Sequence, residues 1–234
     1  MRAKGLLGVV VALFVALVGC AKSPEVTVST GASESSSIPA DLATAQRVVL
    51  TTADLPGYHV DASSEPDAGS EQAASAFQQC AGAGAAALGQ EARTAQSPGF
   101  HEGTVSVSSL ATLAVDEAES KAAMADLTRP ELNGCITALL RAVFERDLKV
   151  AVSSASSEIL SDAKQAPSGG QAVTWRTTLQ FTSGGQKQTA YSDLTFLRSG
   201  RILASLFTFQ QSSPFPTEER TRLAAAMAGR MQQL

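Results

Sequence analysis

Ser161-Asp162-Ala163-Lys164 is the one stretch of this 234-residue chain spaced like a serine nucleophile with its lysine base. In an SxxK arrangement a helix start sets the hydroxyl beside the amine, which takes its proton during attack on an acyl carbon. Ser192-Asp193 supplies part of an SDN motif, but no KTG occurs, and about one SxxK is expected by chance in a chain this rich in serine. The two histidines, His59 and His101, are the other general bases on offer. No GxSxG elbow accompanies them, and Glu102, the one acid adjacent to a histidine, points away from His101 if the segment is a strand. The glycine-rich pieces GAGAAALG and SGGQ lack the GK[ST] ending of a phosphate loop, and no DxDxDG run suggests calcium. The expectation is a non-enzyme with no catalytic residues, no metal and no cofactor.

What remains for recognition is aromatic. Trp175, the sole tryptophan, lies in the alternating run VTWRTTLQF, with Phe207 and Phe209 in the later run SLFTF. On adjoining strands these three side chains would line a hydrophobic cleft, the common form of a small-molecule site. A lone tryptophan on a strand is more often core; on the functional reading Trp175, Phe207 and Phe209 are the expected ligand-binding residues.

The first forty residues read as an address. Arg2 and Lys4 precede an uncharged apolar run, Leu6 to Val18, too short to span a bilayer and laid out like a secretory signal over residues 1–19. Leu17-Val18-Gly19-Cys20 resembles the bacterial lipobox, in which the cysteine is acylated and becomes the first residue after cleavage. Acyl chains add about 0.8 kcal/mol per buried CH₂, so two or three hold a protein on a membrane. Residues 20–39 are rich in Ser, Thr and Gly and without aromatics, the composition of a flexible tether. The expected location is the extracytoplasmic side of the cell membrane, lipid-anchored through Cys20. Without residues 1–19 the chain carries 16 basic and 22 acidic residues, formally −6, which argues against a nucleic-acid partner.

Residues 40–234 suffice for one domain with a proper core. Cys80 and Cys135 are an even pair in an exported chain, which reads as a disulfide. Both sit in helical patterns, Cys135 sharing a face with Leu132, Leu139 and Val143. Further helices are expected after Pro39, over DEAESKAAMADL, and at the C-terminus, where Leu223, Met227 and Leu234 form an apolar stripe. A strand is expected within 103–115. The second half changes to period 2: KVAVSSASSEIL, then three strands joined at Ser183-Gly184-Gly185 and Ser199-Gly200, an antiparallel meander. The fold class is α+β, a largely antiparallel sheet packed with helices and one face partly open.

Lipobox, Ser/Thr tether, the opening VVLTTADLPGY, two helix-borne cysteines and a strand-rich second half ending in a helix together resemble the extracellular sensor-domain family of high-GC Gram-positive bacteria. That family occurs at the outer end of PknH-type transmembrane kinases and as free lipoproteins. The resemblance implies a domain with a cleft beside the sheet and no catalytic machinery. Its members commonly carry two disulfides, whereas this chain has cysteines for one. The function expected is a non-enzymatic, sensor-like module binding an apolar small molecule or an envelope protein. The alternatives are a cell-wall-directed serine enzyme using SxxK and a structural envelope protein.

Overall fold

The computed structural model describes residues 37–61, 93–160 and 170–234. Among them four helices pack on an eight-stranded sheet. In chain order these are α1 (Ser37–Val48), β1 (His59–Asp61), β2 (Thr94–Gln96), β3 (Gly99–Glu102), β4 (Val105–Leu113), α2 (Glu117–Leu127), α3 (Leu132–Leu148), β5 (Val152–Ile159), β6 (Gln171–Ser183), β7 (Gln186–Ser199), β8 (Ile202–Gln211) and α4 (Thr217–Gln232). The strand order is β1-β3-β4-β8-β7-β6-β5, with β2 beside β4, and every pairing is antiparallel.

The expected meander is β6-β7-β8. Ser183 pairs with Gln186, leaving Gly184 and Gly185 as a two-residue loop with φ of 59° and 78°. Positive φ at both positions matches the strands' twist, and only glycine adopts it without steric cost. The long hairpins then bring distant apolar residues into register.

Alternation along the strands divides the sheet into two faces. One carries Val173, Trp175, Leu194, Phe196 and Phe207 against α2 and α3; the other carries Val107, Ala111, Leu197, Ala204 and Leu206 against α1 and α4. Helices therefore cover both sides. Helix α2 starts at Asp116, whose carboxylate accepts from the Glu119 N–H at 2.8 Å, an N-cap that satisfies one of the end's orphan donors. Arg198 on β7 anchors that end, donating to Glu117 at 2.9 Å and to the Ser120 hydroxyl at 3.1 Å. In α4 the buried stripe runs through Arg220, Leu223, Met227 and Met231. Leu234 lies beyond the helix and is exposed, because the helix ends before its turn reaches the sheet.

Candidate functional site

Trp175, Phe207 and Phe209 are each at most 2% exposed. All three project to the α2/α3 face and join one apolar cluster with Leu127, Ile136, Leu140 and Phe144. Phe144 from α3 sits 5.2 Å, centroid to centroid, from Phe209. The indole N–H of Trp175 donates to the Leu127 carbonyl at 2.9 Å, so even its polar atom faces a helix. These side chains are sealed in the interior and do not line an open cleft. A depression of about 460 Å³ does adjoin the C-terminal half of α2, but Lys121, Met124, Ala125, Thr128, Gln171 and Ala172 line it and none of the three aromatics does.

The catalytic patterns separate. Ser192 is fully buried on the α2/α3 face, whereas Asp193, one residue on, faces α4, so the two share no site. Ser161 and Lys164 lie outside the described residues, as do Cys20, Cys80 and the tether through Ser36. Cys135 is buried on α3 beside Leu132, Leu139 and Val143 as the spacing requires. Among the described residues no three His, Cys, Asp or Glu side chains come together as a metal site, and no helix is long and apolar enough to cross a membrane.

Among the described residues, the part of the sheet that no helix covers lies elsewhere and has different chemistry. Beyond α4, the α1/α4 face of β5, β6 and β7 presents Ser154, Ser156 and Glu158, then Thr178 and Gln180, then Tyr191, all exposed or half-buried. Cross-strand register makes rows of them: Ser156, Thr178, Tyr191 and Gln210 in one, Glu158, Arg176, Asp193 and Thr208 in the next. Asp193 is 1% exposed and organises the second row. Its Oδ1 accepts from Arg176 Nε at 2.7 Å, and its Oδ2 from Arg176 Nη2 at 2.6 Å and Arg220 Nη1 at 2.7 Å. The carboxylate is clamped between two guanidinium groups and holds both arginines in place. Arg176 reaches the surface at the margin of the hydroxyl- and amide-bearing rows, with its side chain 16% exposed. Further along the same row, opposite Asp193, the Thr208 hydroxyl is buried without a hydrogen-bond partner.

At the far end of the first row, Gln210 is opposite Val105 and Val105 opposite Glu102. Tyr58 stands near Glu102 and Glu219; burial and these two negative charges push its phenol above the ordinary range, against the pull of Arg222, so it stays a hydrogen-bond donor. Most of the side chains on this surface are polar, and all but Tyr58 and the α4 residues come from strands.

Arg176, Arg220, Thr178 and Tyr191 were not among the residues expected to act, and Asp193 was named only as part of an SDN motif. Two signals could have found them: Arg176 alternates away from Trp175, and Arg220 sits three residues before Leu223, on the stripe α4 buries. A charge in each buried pattern demands a partner of opposite sign. No protein-family model matches this chain, and no curated protein is detectably similar to it.

Proposed function

We propose that this protein is a membrane-tethered, extracytoplasmic, non-enzymatic binding module of the sensor-like kind, and that its partner is an envelope protein docking on the polar half-face of β5–β7. The observation that carries this reading is the placement of the uncovered sheet: it exposes Ser156, Glu158, Thr178 and Gln180 beside the guanidinium of Arg176, while the aromatic residues lie beneath helices. A small-molecule site is mostly apolar, whereas an exposed sheet face of hydroxyl, amide and charged groups suits a macromolecular surface. An apolar ligand would need α2 or α3 to move before it met Trp175. The anchor at Cys20 and the pairing of Cys80 with Cys135 belong to the same proposal; the burial of Cys135 on α3 supports the latter.

The test is a photo-crosslinking amino acid placed at Thr178 in intact cells, with the exposed Glu131 on the other side of the sheet as control. A discrete protein adduct from position 178 and not from 131 is the expected result. Equal labelling from both, or labelling of the wild-type protein by a fluorescent penicillin, would favour the alternatives instead.

A further inference from the structure

The chain has two histidines, 42 positions apart in sequence, and the fold makes them register partners: His59 on β1 lies opposite His101 on β3. Their rings are 5.3 Å apart, centroid to centroid, and tilted by 35°. We propose that this pair is a binding site for a borderline divalent transition-metal ion of the copper(II) or zinc class.

Imidazole nitrogen is the ligand such ions prefer; tetrahedral zinc holding two nitrogens at about 2.0 Å keeps them about 3.3 Å apart, and tetragonal copper(II) holds adjacent nitrogens about 2.8 Å apart. Two imidazoles bound through one nitrogen each to such an ion have ring centroids about 5 Å apart, close to the separation between His59 and His101. The backbones are held independently of the metal. Phe100 and Val107, the register pair next to His101 and Ser106, are sealed in the core on the opposite face. His101 is half-buried and His59 exposed on the outermost strand. One ligand is thus fixed, and the other faces solvent from which the ion arrives. Among the described residues no third His, Cys, Asp or Glu completes a cluster, so two protein ligands leave coordination positions for water or an outside donor. The Irving–Williams order places copper(II) above zinc at such a pair.

The experiment uses the untagged full-length chain in detergent, free of any polyhistidine, with copper(II) as the probe and zinc as competitor. One copper per chain is expected, its electron paramagnetic resonance spectrum split by two imidazole nitrogens. His59→Asn should weaken binding by more than about tenfold, the loss that removal of even an outer-shell partner of a metal site causes, and should reduce the splitting to one nitrogen. His59 is exposed, so this variant keeps the fold; His101→Asn should match it, with circular dichroism reporting whether it folds. A spectrum with fewer than two nitrogens in the unsubstituted chain, or unchanged affinity in His59→Asn, would overturn the assignment.

Discussion

The indole N–H of Trp175 points at the main-chain carbonyl of Leu127, the last residue of α2, at 2.9 Å across the buried layer between sheet and helix. The carbonyls of a helix's last turn lack partners within the helix, and here a side chain of the facing strand supplies one. Trp175→Ala should lower unfolding stability by about 3–5 kcal/mol, the usual loss for a large buried aromatic. Trp175→Phe keeps much of the apolar contact but strands the carbonyl, costing about 1–3 kcal/mol. Denaturant unfolding of both variants checks the order. Native emission should be blue and unmoved by membrane lipids.

Asp193 supports a sharper test, because a buried ion pair with one partner removed is worse than no pair. Asp193→Ala leaves Arg176 and Arg220 facing each other with the carboxylate gone and should cost about 3–5 kcal/mol. Adding Arg220→Met removes the guanidinium that is only 4% exposed and should restore part of that loss. Strictly additive losses in a double-mutant cycle would mean the three groups do not act as a unit.

The meander, the α2, α3 and α4 helices and the face carrying Cys135 were legible because each rests on local signals: period 2 between glycine turns, period 3.6 with an acidic first turn. The short strands β1, β2 and β3 were not, since three or four residues such as HVD or TAQ hold too little alternation to mark a strand; β2 and β3 are recruited by the edge of β4, and β1 by β3. The mistaken cleft has the same origin. Periodicity places Trp175, Phe207 and Phe209 on one face of the sheet, but which face stays uncovered depends on where α2, α3 and α4 dock, and that is settled by contacts far apart in sequence. The His59 and His101 pairing is likewise a matter of register alone.

Acid should find a weak point at Asp54. Burial alone would raise its carboxyl, yet hydrogen bonds from Arg230 and from the Thr51 N–H and hydroxyl outweigh that, and the net shift is downward. With the folded value below the unfolded one, the carboxylate stabilises the fold above the ordinary aspartate value of about 3.9, and this contribution is lost as pH falls through the lower folded value. Asp54→Asn should therefore lower stability at neutral pH and flatten the acid limb of stability against pH. Arg230→Met should do the same, and it also frees the Val48 and Val49 carbonyls. An acid limb as steep as that of the unsubstituted protein in both variants would show that Asp54 does not couple folding to protons.

The cysteines allow a count that separates address from architecture. On the proposed reading, acylation of Cys20 and a Cys80–Cys135 bridge leave no thiol, so the mature protein should react with no thiol reagent even when denatured without reductant. Cys20→Ala should release the protein from the membrane fraction and still show no thiol, since alanine brings none and the bridge persists. Cys80→Ser frees Cys135, whose residue is 8% exposed between α3 and the sheet, so its thiol should react slowly in the native state and at once on unfolding. The same variant should lose stability on the order of 4 kcal/mol, the chain-entropy estimate for a loop of about 55 residues. One titratable thiol in the unsubstituted, denatured protein would break the pairing, and membrane retention of Cys20→Ala would break the lipobox; the two results are independent, so each half of the proposal stands or falls alone.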